Sequence, residues 1–345
     1  MGLRIGMTYN VKTEWTPGPD DPPDLNAEFD HEDTIRAIER ALASGGHEVM
    51  RIGNARQLLE RMPDLGVDIV FNIAEGYEGR NRESQVPILL EMIGVPFVGA
   101  DGLTLGLTLD KILSKKVLLA EGIPTPRFAE FSALEELNAL DLRYPLIVKL
   151  RYEGTSKGLT TDSVVDSPEQ LRRQAARLME SYRGFSVFVE EFIEGQEFTV
   201  CLIGNGMPTP YPVVQIQLDG KTDLGRLFYT FDHVRQQHRS RYMVPAAIPE
   251  PLARDLQALA LRTYRAVDCR DFGRVDFRVD RDGRPHVLEI NPLPSLSLED
   301  AYRFVAEACE LTYDQIVCRI LDAALVRCGL KSQTEVSLPS PTLLR

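Results

Sequence analysis

The sequence predicts an α/β protein with a parallel sheet at its N-terminal end and antiparallel strands further along the chain. Short apolar runs alternate with helical patterns over roughly the first hundred residues, as in sheets whose parallel strands are joined by helices. Later apolar runs are separated by short turns, including an Asp-Gly pair, which is typical of antiparallel pairing. A chain of 345 residues is also long enough for two or three subdomains.

The N-terminal region contains four strand patterns and two helical patterns. Asp30 is positioned to cap the first helix, in which Ile35, Ile38 and Leu42 recur at helical spacing before a Gly-Gly pair ends it. A proline- and aspartate-rich loop at 16–24 precedes this helix and has turn chemistry without an apolar period. In chain order we predict a strand at 3–11, a helix at 31–46, strands at 47–53 and 67–76, a helix at 84–94 and a strand at 96–100.

The remaining elements mix helices with strands that follow one another directly. Ser167 is a capping residue for one helix, and Asp282-Gly283 forms the turn of a hairpin. A polar segment from Gly220 to Met243 has no strong period, and long loops of this kind are often lids. We predict a helix at 107–122, strands within 123–131 and 144–151, a helix at 167–182, two strands within 185–204, a helix at 253–268, a hairpin at 273–291, one or two helices within 302–327 and a loose tail after them.

Composition argues against several classes of partner, although it leaves room for a local basic pocket. A net charge of −12 argues against a nucleic-acid or anionic-membrane surface, because such partners require a basic face. No apolar run approaches the roughly 20 residues of a membrane span, and the N-terminus is too short and mixed for a signal peptide. The five cysteines form no CxxC pair, which predicts reduced, mostly buried thiols and a cytoplasmic location.

The predicted C-terminal hairpin has polar side chains on one face of each strand. Arg274 and Asp276 share a face of the first strand, since they are two residues apart, and the partner strand offers Glu289 and Asn291. Two carboxylates and an amide oxygen suit Mg²⁺, which prefers oxygen ligands and leaves positions for substrate phosphates. An arginine beside them suits a developing anion. A surface salt-bridge ladder across the hairpin is the alternative interpretation.

Two lysines and a loop of small residues could contact phosphates. Lys149 ends an apolar strand, and the loop that follows at 152–158 includes Thr155 and Ser156 between glycines. Such a loop can direct backbone N–H groups toward an anion, although a plain connecting loop fits the same residues. Lys111 is either a second phosphate ligand or a solvated helix residue. No Walker A motif and no GxGxxG occurs in the sequence.

An acidic cluster lies between two later strand patterns. Glu190 and Glu191 precede Phe192 and Ile193, and Glu197 follows. Backbone edges in this cluster could recognise an adenine, and Glu197 a ribose hydroxyl. The alternative is a set of acids that flank an exposed hairpin.

Taken together, these segments resemble the ATP-grasp superfamily and, within it, the D-alanine–D-alanine ligase group. The matching runs are VFNIAEG, GRNRESQVPILLEMIGVPFVGAD, LTLDKILSKKVLLAEGIPTP, YPLIVKLRYEGTSKGL, VFVEEFIEGQEFTV and GRVDFRVDRDGRPHVLEINPLPSLS, which occur in family order over most of 67–297. The resemblance implies an N-terminal domain (1–105), a central ATP-grasp lid subdomain (106–185), a C-terminal ATP-grasp subdomain (186–330) and a tail (331–345), with ATP between the central and C-terminal subdomains.

The resemblance also assigns roles to individual residues. It implies phosphate contacts for Lys111 and Lys149, adenine contacts for Glu190, Phe192, Ile193 and Phe228, and a ribose contact for Glu197. Asp276, Glu289 and Asn291 would bind two Mg²⁺ ions, with Mn²⁺ as an alternative, and Arg274 would stabilise the transition state. In such ligases a carboxylate attacks the γ-phosphate to give an acyl phosphate, which an amine then attacks.

Several positions depart from the ligase pattern. Glu28 is the nearest candidate for the glutamate that grips the donor's amino group, with Thr155 where a serine would support it; a helix-leading acid is the alternative interpretation. Val234 and Arg235 replace a lysine and a tyrosine of the lid, and the cationic role could pass to Arg235, Arg239 or Arg241. Ser295 replaces a glycine whose N–H faces the oxyanion. Asp300, followed by Ala301, replaces a serine that binds the acceptor's carboxylate, which an aspartate would repel.

These observations predict an ATP-dependent ligase that joins a small-molecule carboxylate donor to an amine acceptor through an acyl phosphate. The resemblance adds a homodimer, and no nucleic acid or membrane is expected as partner. The altered acceptor residues favour a ligase for a different amino acid or a specialised carboxylate as the first alternative. A catalytically idle ATP-binding scaffold and an ATP-grasp kinase are the others, and the intact Arg274, Asp276, Glu289 and Asn291 argue against the scaffold.

Overall fold

The first sheet is parallel, as the alternation of strands and helices predicts. The computed structural model describes residues 2–16, 18 and 21–331. The strand order in this sheet is β2-β1-β3-β4, with parallel pairing throughout. Its elements are β1 (Arg4–Tyr9), α1 (Glu32–Ser44), β2 (Glu48–Gly53), α2 (Ala55–Arg61), β3 (Ile69–Ile73), α3 (Gln85–Met92) and β4 (Phe97–Val98).

Two details of this region differ from the sequence prediction. The N-cap of α1 is His31 without a side-chain hydrogen bond, so the prediction that Asp30 caps the helix was wrong. The backbone of Asp30 instead bonds to Asn10, and its side chain lines a cleft. Helix α2 was not predicted, because Leu58 is the one buried residue of its short apolar pattern; a capping box between Asn54 and Gln57 begins it.

The second sheet is antiparallel and has the order β5-β8-β6-β7. Ser167 caps α6 by accepting a hydrogen bond from the Gln170 N–H, as predicted. The single helix expected at 107–122 is two helices, because the Asp110 carboxylate accepts from the N–H groups of Ile112 and Leu113 and starts a new one. The elements are α4 (Gly102–Leu109), α5 (Lys111–Ala120), β5 (Phe128–Glu130), β6 (Leu146–Leu150), β7 (Val164–Val165), α6 (Pro168–Ser181) and β8 (Val187–Glu191).

The third sheet has the order β12-β11-β9-β13-β14, with β10 paired to β9. The hairpin is confirmed, with Gly283 at its turn in a left-handed conformation (φ 79°). The predicted lid at 220–243 contains a short helix and the edge strand. The elements are β9 (Gly195–Ile203), β10 (Thr209–Pro210), β11 (Val214–Leu218), α7 (Phe231–Arg235), β12 (Ser240–Met243), α8 (Glu250–Ala266), β13 (Phe272–Asp280), β14 (Pro285–Asn291), α9 (Ala301–Ala308) and α10 (Tyr313–Arg327).

The cores show how the sheets are joined. Ile5 and Phe71 of the first sheet pack in one cluster with Cys201 and Ile216 of the third sheet and with α10. The second sheet has its own cluster, formed by β6, β8 and α6. All five cysteines are free thiols, and Cys201, Cys269 and Cys309 are buried. Over the described residues no helix is long and apolar enough to cross a membrane. The predicted tail lies outside the described residues from 332 onward.

Candidate active site

A cleft of about 1120 Å³ lies where the second and third sheets face each other, with the loop before α1 along one side. Its size suits a nucleotide together with a small substrate. It is lined by every residue predicted to bind nucleotide or metal or to act in catalysis: Glu28, Lys111, Lys149, Thr155, Ser156, Glu190, Phe192, Ile193, Glu197, Phe228, Arg274, Asp276, Glu289, Asn291 and Ser295. The structure therefore brings the whole predicted set to one place.

The β13–β14 hairpin presents the acidic group to this cleft. In the antiparallel register Asp276 lies opposite Glu289, and Arg274 lies opposite Asn291. Asp276 accepts hydrogen bonds from Arg274 (3.0 Å) and from the Asn291 amide (2.9 Å). It also accepts a 2.6 Å bond from the hydroxyl of Thr199 on β9, a contact that the sequence prediction missed. These bonds fix the orientation of the carboxylate before any ligand binds.

The donor set on the hairpin fits a magnesium ion. Asn291 donates a hydrogen bond to Asp276 through its amide nitrogen. Its amide oxygen is an acceptor and can therefore bind a cation. No group of three or more His, Cys, Asp or Glu side chains with metal-holding geometry occurs in the described chain, so the candidate site has two carboxylates and one amide. Mg²⁺ commonly takes one or two carboxylates and completes its shell with water and phosphate oxygens.

Glu289 is anionic because two lysines face it. Burial opposes ionisation of this carboxyl, but Lys111 and Lys149 outweigh burial and lower its pKa to about 2. The Nζ of Lys111 lies 2.9 Å from the carboxylate of Glu289. Lys111 and Glu289 thus form an ion pair in the cleft. A bound phosphate could replace Glu289 as the partner of Lys111, and a bound cation could replace Lys111 as the partner of Glu289.

A second ion-pair group lies deeper in the cleft. The two carboxylate oxygens of Glu190 lie 2.6 Å from Lys149 and 2.8 Å from Lys115. Burial opposes ionisation of Glu190, yet the two lysines outweigh it and lower its pKa. Lys115 is almost fully buried and was not singled out from the sequence, because it occupies an ordinary position in a helical pattern. The carboxylate of Glu190 therefore orients Lys115 and Lys149, and it is not available to bind an adenine.

An apolar cluster lines part of the cleft. Ile147, Phe192 and Phe228 form one buried cluster, with the two rings 5.7 Å apart and edge to face. The guanidinium of Arg278 lies 4.8 Å from the Phe192 ring and 3.5 Å from the carboxylate of Glu197. Apolar side chains together with the carboxylate of Glu197 suit a purine and its ribose. Arg278 was not predicted, although it shares a strand face with Arg274 and Asp276.

The loop at 152–158 has an unusual backbone conformation at the edge of the cleft. Thr155 (φ 48°) and Ser156 (φ 55°) are consecutive non-glycine residues in the left-handed region, which is sparsely populated because of steric strain. Ser156 donates its hydroxyl to the backbone carbonyl of Tyr229, so the loop is bonded to the predicted lid.

Glu28 is fully engaged with protein groups. One carboxylate oxygen accepts from Arg82 (3.0 Å) and from the Gly154 N–H (2.6 Å). The other accepts from Arg82 (2.9 Å) and from Lys157 (2.7 Å). A carboxylate has about four lone-pair positions, and all four are used here. Burial opposes ionisation, but Arg82 and Lys157 outweigh it and lower the pKa of Glu28 to about 2. The expectation that Glu28 grips a donor's amino group does not fit this arrangement.

The loop before α1 is also held by Asp24. Its carboxylate accepts from the N–H of Gly158 (2.8 Å) and from the hydroxyl of Tyr182 (2.6 Å). Asp24 and Glu28 thus attach the N-terminal loop to both ends of the 152–158 loop. This contact was not predicted, because the acidic residues are far from their partners along the chain.

The opposite end of the cleft carries Asp300 and the lid arginines. Asp300 begins α9 by accepting from the Ala301 N–H, and it also accepts from Arg274 at 3.2 Å. Arg241 and Val234 line the cleft, whereas Arg239 is paired with Asp219 outside the cleft lining. Arg235 lies in a smaller neighbouring cavity. Ser295 lines the cleft between the hairpin and α9.

Comparisons with known proteins agree with the geometry. The family described as "D-ala D-ala ligase C-terminus" matches residues 117–322. A D-alanine–D-alanine ligase of Carboxydothermus hydrogenoformans is 32% identical over 294 residues, covering 83% of this chain and 90% of the relative. An uncharacterised protein, y4sG of Sinorhizobium fredii, is 36% identical over 296 residues, covering 84% of this chain and 86% of the relative.

Solved structures show the same fold. A D-alanine–D-alanine ligase of Bacillus anthracis, determined in complex with ATP, superposes with a TM-score of 0.71 at 22% identity, covering 96% of this chain and all of that one. The VanG D-Ala:D-Ser ligase of Enterococcus faecalis also superposes with a TM-score of 0.71, at 20% identity over 94% of this chain and all of that one. The family match over more than half of the sequence and the relatives above 30% identity lead to one conclusion: the chain belongs to the D-alanine–D-alanine ligase family of ATP-grasp enzymes and is an ATP-dependent ligase.

Proposed function

We propose that this protein activates a small-molecule carboxylate with ATP and Mg²⁺ as an acyl phosphate and joins it to an amine, with D-alanine as the first donor and acceptor to be assayed. The observation that carries the proposal is the hairpin register, which sets Arg274, Asp276, Glu289 and Asn291 side by side in the cleft that Lys111 lines. D-alanine comes from the names of the relatives, and the cleft supports the class of reaction.

The nucleotide end of the cleft supports the following assignment. The apolar pocket of Ile147, Phe192 and Phe228 takes the adenine, with Ile193 at its edge, and Glu197 takes the ribose. Lys111, Lys149 and the Thr155–Ser156 turn contact the phosphates. Glu190 acts through its lysines, because both of its oxygens contact Lys115 and Lys149.

Asp276, Glu289 and Asn291 would hold the metal, and we propose two magnesium ions, for which manganese is a substitute. When bound, magnesium neutralises charge that develops on the transferring phosphoryl group. Lys111 would exchange its contact with Glu289 for a phosphate oxygen. Arg274 would then face the anion that forms at the reacting centre, and the Ser295 N–H would stabilise the tetrahedral oxyanion.

The reaction balances in two steps. A donor carboxylate oxygen attacks the γ-phosphorus, the bond to the β-phosphate oxygen breaks, and ADP leaves. The acceptor nitrogen then attacks the acyl carbon, the carbon–oxygen bond to phosphate breaks, and the nitrogen loses a proton. The products are an amide, ADP and phosphate.

The names of the relatives favour D-alanine as the acceptor, but the contacts of Asp300 favour a different acceptor. Asp300 already supplies a carboxylate to the N-terminus of α9 and to Arg274, the groups that a carboxylate-bearing acceptor would need. An acceptor amine without a carboxylate is therefore the second candidate. A homodimer is proposed from the family resemblance, and sedimentation velocity would test it.

Incubation with ATP, Mg²⁺ and D-alanine, followed by mass spectrometry, tests the proposal. We expect a dipeptide together with equal amounts of ADP and phosphate. A panel of other amines and carboxylates, in the presence of hydroxylamine, would trap the acyl phosphate as a hydroxamate. A phosphorylated product that does not react with hydroxylamine would indicate a kinase. ATP binding without turnover of any donor would indicate a scaffold and overturn the proposal.

A further inference from the structure

Two acidic side chains that line the cleft have no partner among the described residues. Glu75 follows the C-terminal end of β3, and Glu83 comes just before α3. Both line the cleft, and Glu83 is only 8% exposed. Neither carboxylate makes a hydrogen bond or an ion pair with another residue of the described chain, whereas nearby Glu28 and Glu153 are fully paired.

A buried carboxylate without a partner is costly unless a ligand supplies one. Arg82 does not fill this role, because its guanidinium is directed to Glu28, Glu153 and the backbone carbonyl of Tyr152. Lys111 approaches Glu83 but is bonded to Glu289. Glu75 and Glu83 thus face the cleft, while the neighbouring cations Arg82 and Lys111 are paired with other acids.

The missing partner is best matched by an ammonium group. Glu28 cannot take this group without losing one of its four hydrogen bonds, as described above. An ammonium has three N–H donors and can therefore bond to two carboxylates at once. Metal binding fits less well, because no group of three or more His, Cys, Asp or Glu side chains that could hold a hard cation occurs among the described residues.

We propose that Glu75 and Glu83 bind the ammonium group of an amino-acid donor, beside the lysine that contacts the phosphates, and so select amino acids over the corresponding hydroxy acids. The inference rests on the proposed function, because it assigns the donor of that reaction. It transfers the recognition of the amino group from Glu28 to two residues in the segment between β3 and α3. Glu28 then serves as a positioning residue for the 152–158 loop.

Hydroxamate formation tests this without knowledge of the acceptor. The protein is incubated with ATP, Mg²⁺, hydroxylamine and pairs of D- or L-amino acids and 2-hydroxy acids that share a side chain and configuration. We expect the wild type to prefer the amino acid of a productive pair in kcat/KM by about tenfold or more. Glu75→Gln and Glu83→Gln should raise the donor's KM by a similar factor and reduce the preference, while the KM for ATP stays the same.

Glu91→Gln is the matched control, since Glu91 is exposed on α3 and has no role in the cleft. Binding of a non-hydrolysable ATP analogue to each variant shows that its nucleotide site is intact. Equal use of the hydroxy acid by the wild type would overturn the inference, and so would an unchanged preference in both variants with intact nucleotide binding. Absence of hydroxamate from every carboxylate in the wild type would instead overturn the proposed function, and this inference with it.

Discussion

The carboxylate of Asp300 lies 3.2 Å from the guanidinium of Arg274, which is bonded on its other side to Asp276. One arginine therefore joins the candidate metal ligands to the start of α9. Arg274 is held in place by acids at both ends, so little reorganisation is needed when an anion forms beside it. The same pairing reduces the positive charge that Arg274 can offer to a ligand at the α9 end.

Replacement of Arg274 should separate catalysis from nucleotide binding. We expect Arg274→Ala to lower kcat by about 100-fold or more, because a preorganised cation at the developing anion is lost. The Kd of an ATP analogue, measured by calorimetry, should stay nearly the same. Arg284→Ala, at the exposed turn of the same hairpin, is the control. Unchanged turnover in Arg274→Ala would remove the arginine from the mechanism.

Removal of the charge on Asp300 should change the choice of acceptor. Asn is a good N-cap, so Asp300→Asn keeps α9 intact while the guanidinium of Arg274 loses one of its anionic partners and becomes available to a carboxylate. We expect kcat/KM for D-alanine as acceptor to rise by about tenfold as like-charge repulsion disappears. Glu307→Gln makes the same change in charge at an exposed position of α9. A fall in D-alanine use by Asp300→Asn alone would show that the aspartate assists this acceptor.

Glu83 should reduce stability at neutral pH. Burial raises the pKa of this carboxyl from 4.5 to about 7, and the charged neighbours that face it are Arg82, Glu28, Lys111, Glu153 and Glu75. A raised pKa means that the folded state favours the protonated form of Glu83. The stability that this protonated form contributes is fully present below pH 4.5 and is lost as pH rises through 7.

Glu83→Gln should therefore be as stable as the wild type at low pH and more stable at pH values above 7, by on the order of 2 kcal/mol. Urea unfolding at several pH values measures the difference. Glu91→Gln should follow the wild type throughout. A difference between Glu83→Gln and the wild type that does not grow with pH would contradict the assignment of the raised pKa to Glu83.

The contact between Asp24 and Tyr182 should hold the 152–158 loop in place. Tyr182→Phe removes the hydroxyl from a buried carboxylate and leaves it the Gly158 N–H, at a cost of about 1–2 kcal/mol. Hydrogen exchange of peptides covering 152–158 should become faster, and the KM for ATP should rise. Tyr144→Phe, at a partly exposed tyrosine, is the control. Exchange at the wild-type rate in Tyr182→Phe would show that the loop is held by Glu28 alone.

The sequence predicts best where one period governs a segment. The period-two pattern of 273–291 predicted both strands and the shared face of Asp276 and Glu289, and the register agrees. The helix at 107–122 was predicted as one, because its apolar pattern continues across Asp110 and the local cap is stronger than that pattern suggests. A helix boundary that is set by a single capping residue cannot be predicted from the apolar period alone.

Contacts between distant segments could not be predicted. Glu28 was expected to face a substrate because its position in the chain resembles that of a ligand, but it is paired with Arg82, from the segment between β3 and α3, and with Lys157, from the loop after β6. Glu75 and Glu83 had no signal beyond their charge. Only the fold shows that both line a cleft without a partner among the described residues, Glu83 buried and Glu75 half-buried. Ion pairing depends on three-dimensional proximity, which apolar spacing does not record.

The attachment of the N-terminal loop to the 152–158 loop has a mechanical consequence for the exchange of nucleotide. The buried carboxylates of Asp24 and Glu28, in the loop before α1, are bonded to Gly158 and to Gly154 and Lys157 in the loop that follows β6 of the second sheet. Arg226, after β11 of the third sheet, and Asp166, after β7 of the second sheet, form an exposed pair, which costs little to break. If the second and third sheets move apart to open the cleft, we expect the pair of Arg226 and Asp166 to separate first. The buried contacts of Asp24 and Glu28 would stay intact and act as the hinge. ADP would then leave by the adenine end while the donor's compartment stays shut.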